Sequence, residues 1–244
     1  MYFDKRMLYI LMAIMILSGL MNYLTDTSAL ISLLLTIPGV LLAITFHEFA
    51  HAFAADKLGD DTPRAEGRLS LNPLKHLDPI GSIMLLFAGF GWGKPVHVNP
   101  RNYDRTMSMD KANAIVSIAG PVMNLLLAIV LTLIYCAIYK FVGSSTIYYS
   151  SLLSIIMRII YYAIVINVGL GVFNLIPLPP LDGSKVIKPF LPYNAKVWFE
   201  NHEQIFYIIF VVLWIVGILS LIISPIINVI TEGILNIGIA IFGL

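Results

Sequence analysis

Apolar residues in this chain come in long continuous runs. They show neither the strict alternation of a half-buried strand nor the single stripe of a soluble amphipathic helix. Six runs stand out: Met7 to Leu24, Leu30 to about Ala55, Asn113 to about Tyr139, Leu152 to about Leu181, Gln204 to Ile223, and the weaker Ile226 to Leu244. A helix needs about 20 apolar residues to cross a bilayer, and the runs approach or exceed that length. The pattern predicts an all-α polytopic membrane protein with about six transmembrane helices, forming one domain over residues 1–244. The last run either crosses or lies in the interface. Prolines punctuate the runs. Pro38-Gly39 predicts a kink in the second, Pro177, Pro179 and Pro180 end the fourth, and Pro225 separates the fifth from the last.

Between the second and third runs lies a long polar stretch, Asp56 to Lys111. Within it, Pro79 to Trp92 is apolar, glycine-bearing (Gly81, Gly89, Gly91) and too short to span, which predicts a re-entrant or interfacial, β-like segment after the second helix. The glycines have no Walker or dinucleotide spacing, so close backbone approach is the reading.

Composition sharpens the class. With 59% apolar and 12% charged residues and a mean hydropathy of +0.88, no soluble domain is described. A formal net charge of +1 implies no nucleic-acid partner. Lone Cys136, in an apolar run, excludes an internal disulfide. Lys5-Arg6 before the first run imitates a signal peptide, but no A-x-A-like cleavage site follows, so a retained first span is expected. Basic residues set orientation. Thirteen of fifteen fall on one side if the N-terminus is cytoplasmic, with only Lys140 and Arg158 elsewhere. Both termini are then expected in the cytoplasm.

The candidate chemistry sits in the last third of the second run, at His47-Glu48-Phe49-Ala50-His51. Four residues are about one helical turn, so the two imidazoles share a face and can hold one metal ion. Glu48 lies about 100° round the helix, placed to act on water without ligating the metal. An HExxH arises by chance on ordinary helices. Here it lies in lipid-compatible sequence, where ionisable groups are expensive and mark function. Imidazole ligands with an open position suit Zn2+, one per chain.

Two histidines leave a catalytic zinc one ligand short. Glu66, His76, Asp78, His97, Asp182, Glu203 and Glu232 are the candidates. Asp182 stands out because it follows an apolar run closed by three prolines. Non-helical backbone at that depth must be buried in protein or line a wet cavity.

The HExxH of one span, with Asn174-Leu175-Ile176-Pro177-Leu178-Pro179-Pro180-Leu181-Asp182-Gly183 in a later one, resembles the site-2 protease family of intramembrane zinc metalloproteases. The later stretch fits the family's NxxPxPxLDG pattern, and Gly120-Pro121-Val122-Met123-Asn124 is similar to a further family motif. The resemblance covers a catalytic core from about residue 30 to residue 188. It implies His47, His51 and Asp182 as zinc ligands, Glu48 as the catalytic glutamate, and Asn174 and Asn124 as substrate-binding groups. It also implies a minimal form without PDZ or CBS domains, acting on transmembrane protein substrates in the lipid bilayer by regulated intramembrane proteolysis. The active site is then expected in the cytoplasmic half of the membrane. A membrane metal transporter using the same ligands is the alternative, although transporters tend to show repeated halves and none is visible here.

Overall fold

The structure is a computed structural model that describes residues 5–88 and 92–244. Eleven helices follow in order: α1 (Lys5–Thr25), α2 (Thr27–Lys57), α3 (Thr62–Ala65), α4 (Pro79–Ala88), α5 (Met109–Val142), α6 (Ser144–Tyr149), α7 (Ser151–Asn174), α8 (Asp182–Ile187), α9 (Tyr193–Asn201), α10 (Glu203–Ile215) and α11 (Ile218–Phe242). Among the described residues there is no strand; a lone antiparallel bridge joins Leu77 and Gly93.

Among the described residues, four helices are long and apolar enough to cross a membrane: α2, α5, α7 and α11. The described apolar part of α1, Ala13–Thr25, and α10 are shorter. Leu34, Leu126, Val130, Leu152, Leu221 and Val229 all point outward from these helices and are exposed. Apolar surface on this scale belongs against lipid, so the chain is a multi-pass membrane protein.

The centre is a three-helix packing of α2, α5 and α7, with α11 closing one side. Small residues allow close approach, as is usual where lipid removes the hydrophobic drive between helices. A Cβ on Gly39 of α2 would lie 2.7 Å from the Ala163 Cα of α7. Ala128, Ile164 and Val168 are fully buried between α5, α7 and α11. The prolines Pro38, Pro121 and Pro225 all lie inside helices that continue past them.

Two expectations from the sequence change. The break expected at Pro225 falls at Gly217, whose φ of +82° favours glycine. The last part of the chain is therefore a 13-residue helix followed by one long helix, not two comparable spans. The segment expected to be β-like is helical over Pro79–Ala88. Asp78 accepts from the Gly81 amide at 2.7 Å and proline follows it, an N-terminal signature that outweighs the single glycine inside the helix. Gly89 and Gly91 lie outside the described residues.

A strap, residues 92–99, returns from this excursion to α5. It is pinned by the Leu77–Gly93 bridge, by the Lys94 amide donating to the His76 carbonyl (2.7 Å), and by the Asn99 amide donating to Asp60 (2.7 Å). Asp60 is fully buried and also accepts from Thr62 and Asn102.

Candidate active site

His47 and His51 lie one turn apart near the end of α2, both buried, with ring centroids 4.6 Å apart and planes nearly perpendicular. Each Nε2 is 3.2 Å from the same atom, Asp182 Oδ2. A tetrahedral ion with bonds of about 2.0–2.1 Å needs ligand atoms about 3.3 Å apart. Both nitrogen–oxygen distances match that spacing, and the three donor atoms all lie within 4.8 Å of one another; among the described residues they are the group of His, Cys, Asp and Glu side chains able to hold a metal.

The other ring nitrogens settle the tautomers. His51 Nδ1 donates to the Val116 carbonyl of α5 at 2.7 Å, and a carbonyl only accepts. His47 Nδ1 lies 2.6 Å from Asn124 Oδ1. The Asn124 amide donates to the Ala43 carbonyl (3.0 Å) and to Asn167 Oδ1 (2.9 Å), so its oxygen is the end facing His47. Both Nδ1 atoms therefore carry protons, which leaves each Nε2, the atom facing Asp182, as the nitrogen able to ligate a metal. Outer partners of this kind orient ligating histidines and raise their basicity.

Asp182 reaches the pair because the chain turns at residues 175–181 and restarts as α8. A Cβ on Gly183 would sit 2.4 Å from the carbonyl oxygens of Leu175 and Ile176, so only glycine fits that return. The Asp182 side chain is 16% exposed, so its carboxylate is largely withdrawn from solvent and faces the two rings. Gly120 of α5 lies against the rings. Its Cβ would fall 2.5 Å from His51 Nε2 and 2.7 Å from His47 Cε1.

Glu48 is partly buried beside the pair and stays outside the ligand set. Its Oε2 accepts from the Val96 amide of the strap at 3.0 Å. Gly93 also lies close, with its Cβ position 3.6 Å from Glu48 Oε1.

The remaining candidate ligands go elsewhere. His97 Nδ1 sits 3.1 Å from Glu66 on the surface, His76 bonds the Ser70 carbonyl, and Asp78 starts α4. Glu203 starts α10 and Glu232 is exposed. Asn124, expected to bind substrate, is fully buried, and both of its amide hydrogens are donated within the helix core. Asn174, the other expected substrate group, ends α7 and donates to its own helix at the Leu170 carbonyl (3.0 Å). Sequence reasoning missed the Val116 carbonyl, the Val96 amide and Asn167. The first two are backbone groups and leave no trace in residue identity. Asn167 was visible as an amide in an apolar run, but nothing local said what it faced.

A buried His-His-Asp donor set with a glutamate alongside, inside a bundle of membrane helices, defines a membrane-embedded zinc metallopeptidase. Comparison with known proteins agrees. The model of peptidase family M50 matches residues 96–217. The chain is 38% identical over 203 residues to "Putative zinc metalloprotease YwhC" of Bacillus subtilis, covering 83% of this chain and 90% of that protein. It is 32% identical over 191 residues to "Putative zinc metalloprotease Rip2" of Mycolicibacterium smegmatis, covering 77% and 69%. No solved structure matches at a significant level. The chain belongs to peptidase family M50, the site-2 proteases, and is a zinc metalloprotease.

Proposed function

We propose that this protein hydrolyses peptide bonds within or near transmembrane segments of other membrane proteins, the chemistry of regulated intramembrane proteolysis. The observation that carries the reading is the convergence of His47 and His51 Nε2 on one Asp182 oxygen, with Glu48 outside that set. His47, His51 and Asp182 would hold the zinc. Zinc, when bound there, supplies a Lewis acid and lowers the pKa of water to about 7. Glu48 takes the proton of the attacking water as its oxygen adds to the carbonyl carbon. It returns that proton to the nitrogen as the C–N bond breaks. Asn124 and the Val116 carbonyl fix the ring orientations. Asn174 is the group we assign to substrate, on its place in the NxxPxPxLDG pattern.

Water has to reach this depth. A cavity of about 220 Å3, lined by Asp110, Asn113, Val116, Ser117, Lys185 and Lys188 among others, adjoins the residue whose carbonyl holds His51. We read it as the wet approach, opening to the cytoplasm on the side of the basic loops. The N-terminus belongs on that side. Lys140, at the far end of α5, donates to the Gly243 carbonyl at 3.3 Å, so we read the C-terminus as lying on the opposite side. That reading differs from the sequence expectation that both termini are cytoplasmic.

The test is cleavage of a model transmembrane substrate in lipid by the parent and by Glu48→Gln. The variant should keep its zinc and lose about 10²–10⁴-fold in rate. A variant that cuts like the parent ends the reading.

A further inference from the structure

We infer that Arg68 is a positioning residue for Glu48, fixing the strap that presents the Val96 amide to the base. The inference rests on the protease reading above.

Arg68 lies in the polar excursion, twenty residues after Glu48, and is only 4% exposed. Its guanidinium donates to three carbonyls: Lys75 through Nη1, and Lys94 (2.8 Å) and Pro95 (2.6 Å) through Nη2. Among the described residues no carboxylate pairs with it. A buried cation without an acid is costly, so its place needs a reason. The reason lies in what it holds. Lys94 and Pro95 directly precede Val96, the residue whose amide meets Glu48 Oε2 at 3.0 Å. Pro95 has no amide hydrogen, so Val96 offers the next donor along the strap after Lys94, whose own amide is spent on the His76 carbonyl.

With Oε2 held by Val96, no described residue donates to Oε1, which stays available for the proton of water. The planar fork of arginine is what bridges carbonyls from two separate segments, residue 75 on one side and residues 94 and 95 on the other. The compact ammonium of lysine does not reproduce that geometry. Nothing in this arrangement touches the metal ligands. Loss of Arg68 should therefore misplace the base and leave the metal site intact, a separation that general loss of fold would not give.

The experiment uses the full chain in lipid with a model transmembrane substrate. It compares the parent, Arg68→Gln and Val96→Pro, the last removing the amide hydrogen while also fixing φ and replacing the valine side chain. Zinc content, kcat, KM and hydrogen–deuterium exchange of the peptide covering residues 93–98 are measured. Arg68→Gln should keep zinc, exchange faster across the strap, and lose about 10–100-fold in kcat with KM near the parent's. Val96→Pro should keep zinc and lose kcat similarly. The inference is overturned if Arg68→Gln loosens the strap with kcat intact, or leaves both unchanged. If Arg68→Gln loses zinc, Val96→Pro decides: a kcat loss with zinc retained supports the inference, and cleavage at the parent's rate overturns it. Failure of the protease reading shows separately, as cleavage by Glu48→Gln equal to the parent's.

Discussion

The two histidines and the glutamate sit next to each other in sequence, yet two different kinds of structure hold them. His47 and His51 are fixed by regular helices: the i, i+4 spacing of α2 aligns them, and α5 supplies Asn124 and the Val116 carbonyl. Glu48 is fixed by an irregular strap that owes its shape to the buried side chains of Arg68 and Asp60. On the roles proposed above, the helix core encodes where the metal goes, whereas the polar excursion encodes how the base is aimed. Metal affinity and catalytic rate should therefore separate by mutation along this line.

The largest effect belongs to the helix side. His51→Ala should abolish both stoichiometric zinc and cleavage, and full zinc occupancy by metal analysis would break the assignment. Asp182→Asn should also weaken zinc, and unchanged occupancy would move the third ligand elsewhere. Asn124→Ala follows, with about 10–100-fold weaker zinc binding as His47 loses its orienting acceptor. Competition with a chelator measures it, and an unchanged affinity would show that Asn124 serves something other than the ligand.

The strap side should behave differently. Asp60→Ala orphans the Thr62 and Asn99 amides, and should destabilise the fold by about 1–3 kcal/mol in a thermal melt while zinc stoichiometry holds. Zinc loss from the folded variant would erase the contrast between the two regions. The smallest effect is expected for Asn167→Ala. It removes one partner of the Asn124 amide at a cost of about 1 kcal/mol, with zinc affinity close to the parent's. A zinc loss matching that of Asn124→Ala would mean that the helix-core network acts as one unit.

Much of the molecule was legible from residue order. Runs of apolar residues dictate helices where lipid leaves backbone groups no other partner. The HExxH spacing dictates two imidazoles on one face, because a helix repeats every 3.6 residues. Asp182 stood out because a carboxylate at the proline-broken end of a span is expensive to keep there unless a cation or a wet cavity faces it. Local order misjudged Pro225, since a proline inside a membrane helix is tolerated when neighbours and side chains satisfy the freed backbone groups. It also took the glycine content of 79–92 for strand character, when the Asp78-Pro79 start decided for helix.

What residue order alone determined was the set of groups able to do the chemistry: the apolar helices, the side chains they carry, and that two imidazoles share one face. What only the tertiary structure decided was how those groups meet. Asn124 turned inward to His47, Gly120 made room for two rings, and Arg68 braced the segment that faces Glu48. Each of these joins residues far apart in the chain, through backbone groups or packing distances that residue identity does not specify. Only the folded helices bring them within reach.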